Sequence, residues 1–239
     1  MAFSTVQIPS APGQGAAVTT LSKAFTSNPT PGNLVLAIFL FIDDADTTAT
    51  SLAIKDGNNN SFTITPNSPS NARPTTAGVI YFAYILSAPG NAEKTITATW
   101  SNAPLLCSLW VMEFAYAGGT AAFGSDITGT GTTGAPINTP TITVTGSNTL
   151  LIAAGLSDHQ VSSVDSPWVQ VAAGTGNQFS EGIGYILAAS ANQAVAMTQN
   201  QTSGWDSMGM ALSFTPTGGG DLSAVVGAPR GRGQSAISA

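Results

Sequence analysis

The chain's ionisable residues are few enough to weigh one by one. Among 239 residues there are three glutamates, nine aspartates, one histidine and one cysteine. His159 follows Asp158, but no G-x-S-x-G elbow supplies a serine nucleophile for them. Glycoside hydrolysis needs two carboxyl groups facing one groove. Glu93, Glu113 and Glu181 lie far apart in sequence, and Glu113 falls inside the apolar run WVMEFAY. Its alternation places it opposite Trp110, Met112 and Phe114, as a paired structural carboxyl group or a subunit contact. Asp56, Asn58 and Asn60 follow the D-x-N-x-N opening of a calcium loop, without the later Gly and Glu. Turn formation accounts for that triplet and for Asp43, Asp44 and Asp46. One cysteine with one histidine argues against a zinc or iron–sulfur site, so no metal and no cofactor is expected, with Asp56, Asn58 and Asn60 the calcium candidate. Trp168 and Trp205 follow Ser-Pro and Ser-Gly turns, where an exposed indole could stack on a sugar ring. Core packing is the simpler expectation for both.

The elements that must position these residues are strands. Thr95, Thr97 and Thr99 alternate with Ile96, Ala98 and Trp100, and Thr141, Thr143 and Thr145 alternate with Ile142 and Val144. Each run predicts a strand with a hydroxyl face and an apolar face. The runs at 34–42, 79–86, 105–116 and 150–156 are apolar on both faces. Such strands need cover on both sides, from the opposite sheet and from an arm, a loop layer or another subunit. Asp56-Gly57-Asn58-Asn59-Asn60 predicts a hairpin turn.

Two stretches look alike. Pro31-Gly32-Asn33 and Gly146-Ser147-Asn148 each open an apolar strand, and AGVIYFAYILS at 77–87 resembles GIGYILAAS at 182–190. The prediction is an all-β, jelly-roll-like antiparallel sandwich of about ten strands with a pseudo-twofold repeat. The expected organisation is an N-terminal arm over 1–15, a body over 16–216 and an extended tail over 217–239. Within the body, halves at about 16–117 and 137–216 are joined by a Gly/Thr-rich connection.

Composition narrows the function. Only 8% of residues are charged, the net charge is −6, and 30 threonines and 26 glycines take their place. An acidic body argues against nucleic acid as partner, and no apolar run reaches membrane-spanning length. The N-terminus lacks the pattern of an export signal. Cys107 predicts a buried thiol. The tail concentrates two of the three arginines, and Val225, Val226, Arg230 and Arg232 are its candidate docking residues for a neighbouring subunit.

The succession PGNLVLA, DGNNNSFTI, YFAYIL, KTITATW and VMEFAYAG resembles β-sandwich modules of bacteriophage virion proteins and of bacterial surface proteins, over roughly residues 16–216. The resemblance implies a jelly-roll-like sandwich and an assembly or adhesion role, and it carries no catalytic residue. The expected function is therefore that of a virion structural protein, a capsid decoration (cement) or tail component and not an enzyme. It would be made in the host cytoplasm without a signal peptide. Its expected partners are further copies of itself, as a trimer, and other virion proteins such as the major capsid protein. A carbohydrate-binding or adhesin module, using Trp168 and Trp205, is the alternative.

Overall fold

The computed structural model describes residues 3–43, 48–69, 77–116, 120–128, 132–133, 137–138, 141–144, 146, 148–157, 161–173, 180–194, 196–199 and 206–217. Every regular element among them is a strand. β1 (Phe3–Gln7), β2 (Gly13–Gly15), β3 (Thr20–Ala24), β4 (Leu34–Asp43), β5 (Ala53–Asp56), β6 (Thr63–Ile64), β7 (Ala77–Ile85), β8 (Thr95–Thr99) and β9 (Leu106–Tyr116) form the first half. The second half holds β10 (Thr120–Thr128), β11 (Thr132–Thr133), β12 (Ile137–Asn138), β13 (Thr149–Ser157), β14 (Val161–Val164), β15 (Val169–Ala173), β16 (Ser180–Ala189), β17 (Ala196–Gln199) and β18 (Asp206–Thr217).

The halves have one topology. In the first, a large sheet runs β1-β9-β4-β7-β6 with β2 also on β9, and a small sheet runs β3-β8-β5. In the second, β10-β18-β13-β16-β15 carries β11 on β18, and the small sheet runs β12-β17-β14. Strand for strand the orders are identical, and all pairings are antiparallel. The chain changes sheet at each step from β2 to β6 and from β7 to β9, and the order β1-β9-β4-β7 facing β3-β8-β5 is that of a jelly roll. The chain is thus the all-β, sandwich-like fold with a repeat that the sequence led us to expect, each half a jelly roll of its own, with more strands than the ten or so expected.

The register makes the equivalence residue by residue. Leu34 pairs with Phe114 as Leu150 pairs with Phe214, and Leu36 pairs with Tyr84 as Ile152 pairs with Tyr185. The Tyr-Ile-Leu at 84–86 therefore matches the Tyr-Ile-Leu at 185–187. Both first strands break register at the same point, between Thr5 and Gln7 and between Phe123 and Ser125. A β-bulge there is part of the repeated unit. The turn before the long strand repeats as well, with Gly32 at φ 89° and Asn148 at φ 64°. Glycine and asparagine are the residues that best tolerate this left-handed backbone. Gly32, and not Asn33, is thus the counterpart of Asn148, a one-residue slip in the match suggested by the sequence.

The expected domain limits shift accordingly. The stretch 1–15 contains β1 and β2, which pair with β9 as integral strands of the large sheet. The Gly/Thr-rich stretch expected to connect the halves contains β10 and β11, their counterparts. Period-two alternation is weak in both because each lies at a sheet edge.

Three clusters of buried residues define four layers. Along β4 the even positions Leu34, Leu36, Ile38, Leu40 and Ile42 join a cluster with Ile152, Ala154, Ile183, Leu212 and Phe214 of the other half. The odd positions Val35, Ala37, Phe39 and Phe41 join Ile54, Ile96, Ala98 and Trp100 of their own small sheet. Leu151 and Ala153 of β13 pack with Val161, Val164, Trp168 and Met197. Each large sheet is therefore sandwiched between its own small sheet and the other large sheet. The strands apolar on both faces find both covers inside one chain, and no second subunit is needed to hide them.

The seam between the large sheets carries the signature of a twofold axis. Tyr84 meets Phe214 edge-on at 5.4 Å between ring centroids, and its equivalent Tyr185 meets Phe114, the equivalent of Phe214, edge-on at 5.8 Å. Such reciprocal contacts define an isologous interface, here built within one chain. Phe123 stacks on Tyr84 at 5.3 Å on one side only.

Candidate functional site

The carboxyl groups are the side chains with most chemistry to offer, and the fold engages each one it describes. Glu113 projects from β9 away from the seam and is fully buried. One oxygen accepts from the Thr30 backbone N–H at 2.8 Å and from Asn33 Nδ2 at 2.6 Å, and the other from Gln7 Nε2 at 2.5 Å. It ties the edge strand β1 and the turn before β4 to the middle of the large sheet. The paired structural carboxyl group expected from the alternation is present. Its partners Gln7, Thr30 and Asn33 could not be read from sequence, because all three lie more than 75 residues away.

Asp56, Asn58 and Asn60 do come together, in the hairpin turn between β5 and Ser61. Asp56 is 5% exposed. Its oxygens accept from the N–H groups of Asn58 and Asn60 at 2.9 Å each, from Glu93 N at 3.0 Å and from Asn60 Nδ2 at 2.7 Å. Burial pushes the Asp56 carboxyl up, but these four hydrogen bonds together outweigh it and hold the group below its ordinary value. Donors surround both oxygens, so the triplet is a turn lock; the calcium candidate is corrected to that role, since N–H donors repel a cation. Glu93 in turn accepts from Thr95 N at 2.8 Å, and Asp165 from Thr198 Oγ1 at 3.2 Å.

Two carboxyl groups join the halves. Asp126 of β10 accepts from Asn67 N at 2.8 Å and from Asn67 Nδ2 at 3.0 Å, tying the loop after β6 to the second half. Glu181 of β16 faces the seam and accepts a short hydrogen bond from Ser108 Oγ of β9. Burial pushes the Glu181 carboxyl up, opposed by Ser108 and by the nearby Trp110 indole. Trp110 Nε1 is buried and makes no hydrogen bond of ordinary geometry, so the Ser108 hydroxyl is the firm partner. Nothing in the sequence signals this pair. Ser108 is buried within an apolar strand, and only the three-dimensional seam reveals what it is for.

The aromatic candidates divide. Trp168 is 6% exposed, packs in the core of the second half and donates from Nε1 to Ala194 O at 3.1 Å. Its ring is covered, which corrects its candidacy for glycan stacking. Trp205, the Asp158–His159 pair, Asp44, Asp46 and the tail residues Val225, Val226, Arg230 and Arg232 lie outside the described residues, as does the side chain of Asp43. Cys107 is buried, donates to Gly15 O at 3.4 Å, and burial pushes its thiol up to about 11. Among the described residues no cluster of His, Cys, Asp and Glu could hold a metal ion, and no helix is long and apolar enough to cross a membrane.

No family model, curated protein or solved structure matches the chain.

The solvent face of the first small sheet is hydroxyl-rich. Thr20, Ser22, Thr97 and Thr99 meet across β3 and β8, and Ser22 shares a 2.8 Å hydrogen bond with Thr97. Among the described residues, exposed large apolar side chains are few: Val6, Leu105, Leu106 and Val169. The described surface thus offers hydroxyls and strand edges, and the described carboxyl groups serve to join strands and loops.

Proposed function

We propose that the protein is a virion structural component, a capsid decoration (cement) or tail protein, that serves as a rigid paired jelly-roll block and docks through its tail. The observation that carries this reading is the use made of the carboxyl groups. Glu113, Asp56, Glu93, Asp126, Asp165 and Glu181 each join strands or loops of the fold. Polar chemistry spent on cross-ties suits a mechanical part. The jelly roll is a recurring capsid architecture but also a lectin one, so fold alone does not decide. With Trp168 in the core, no observation favours the carbohydrate-binding alternative.

Because each large sheet is covered within the chain, contacts with neighbours fall to the hydroxyl-rich outer faces, the strand edges and the tail. Val225 and Val226 would supply apolar contact, and Arg230 and Arg232 would pair with carboxylates of a neighbouring copy or of the major capsid protein. A homotrimer is the expected self-assembly. Deletion of Asp221–Ala239 tests the docking. The body should fold unchanged by circular dichroism, while incorporation into purified particles falls. Undiminished incorporation refutes the tail's role, and absence of the full-length chain from particles removes the virion reading altogether.

A further inference from the structure

The seam between the halves is nearly symmetric, and that creates a hazard. A twofold face can accept the like half of another copy as well as the unlike half of its own chain. First half on first half, or second on second, would bury much the same apolar surface. Tyr116 ends the first half and Thr120 begins the second. So short a tether favours pairing within the chain by raising effective concentration. That advantage falls where many copies are crowded together.

Among the differences between the two faces of the seam, one sets a polar pair against an apolar one. Glu181 stands in register with Leu156, as Ile80 stands with Leu40, so Glu181 occupies the position that Ile80 fills in the first half. Ser108 pairs with Leu40 as Met208 pairs with Leu156, so Ser108 and Met208 are equivalent. The Ser108–Glu181 hydrogen bond therefore exists in one arrangement only, first half on second. Pairing two second halves would set each Glu181 against a Met208 position, with no hydroxyl to donate. Pairing two first halves would set each Ser108 against Ile80. A buried polar group without a partner is penalised heavily, whereas an apolar pair is indifferent to which half it meets.

We propose that Glu181, held by Ser108, is a pairing selector that admits the unlike half and rejects the like half of a second copy. It acts on the choice of partner and not on the strength of packing. This inference rests on the seam and is independent of the proposed function.

The test refolds full-length chains from denaturant at low and high concentration and measures particle mass by light scattering. Glu181→Leu should fold with the wild-type circular dichroism spectrum and at least wild-type resistance to urea. The fraction of its chains in species larger than the wild-type species should rise roughly tenfold at high concentration, in line with one lost part-buried hydrogen bond. Glu181→Gln, which still accepts from Ser108, should keep the wild-type distribution. Ser108→Ala removes the donor and should raise the larger species even if Glu181→Leu does not fold. A folded Glu181→Leu with the wild-type mass distribution overturns the proposal. So does a Ser108→Ala variant that loses stability without any change in that distribution.

Discussion

Glu113→Ala probes how far one carboxyl group holds the first half together. The side chain is fully buried and accepts three hydrogen bonds. Gln7 would survive its loss, because its amide also donates to Ser27 O at 3.1 Å and accepts from Ser27 N at 3.2 Å. Thr30 N and Asn33 Nδ2 would not; each would be left without the acceptor seen here. A dry unpaired donor costs about 1–3 kcal/mol, and water entering the shortened site recovers part of it, so the expected loss is about 2–4 kcal/mol. The second half supplies the control. Ser213 stands at the equivalent register position and accepts from Ser125 N at 3.0 Å. Ser213→Ala should cost only about 0.5–1.5 kcal/mol. Urea unfolding followed by tryptophan fluorescence measures both, with the midpoint falling and the slope unchanged. A Glu113→Ala loss no larger than that of Ser213→Ala would refute the idea that this group anchors β1 and the turn before β4.

Three further outcomes follow from the same geometry. Asp56→Ala should destabilise by about 1–3 kcal/mol at neutral pH. Its carboxyl is held below the ordinary 3.8, so its stabilisation is present above that pH and lost as pH falls through the folded value; urea midpoints at pH 7 and pH 3 should show the mutant's deficit shrinking in acid. Glu181 is raised above 4.5, so the sign reverses: its contribution is complete below 4.5 and lost as pH rises through the folded value. Glu181→Gln should therefore gain stability relative to wild type between pH 4 and pH 8, read from the same midpoints. Phe114→Ala and Phe214→Ala remove equivalent rings from the seam, both fully buried, and should each cost about 3–5 kcal/mol by thermal or urea unfolding.

The sequence showed the material of the fold better than its number of parts. Runs such as LVLAIFLFI announced strands buried on both faces, and β4 is one, its even residues on the seam and its odd residues on the small sheet. What covers such a strand is a tertiary question, and periodicity is silent on it. The repeat is visible in Tyr-Ile-Leu at 84–86 and 185–187, but the matching segments do not keep one spacing. The structure gives the reason: Leu34 matches Leu150 but Tyr84 matches Tyr185, because the loops between these strands differ in length. The turn role of Asp56 was legible because Asn58 and Asn60, which supply three of its four hydrogen bonds, are local, while Glu93 was not foreseen. Glu113 and Glu181 were legible only as residues, because their partners arrive from strands far along the chain.

A duplicated fold sorts its own residues by comparison of the halves. Where the halves agree, as at Phe114 and Phe214 or Tyr84 and Tyr185, the position serves the twofold seam that both must build. Where they differ, one half has acquired a task the other lacks. Glu113 against Ser213 is a difference on the outward face, and it fixes an edge strand and a turn. Glu181 against Ile80 is a difference on the seam itself, and it can act only on how the halves meet. Burying a carboxyl group where leucine or isoleucine would fit gains nothing in packing, since an apolar replacement is often as stable or more so. The retention of a polar pair on a largely apolar interface is therefore better explained by selection among pairings than by strength. A building block crowded among copies of itself has most need of that selection, which links the seam to the assembly role proposed for the chain.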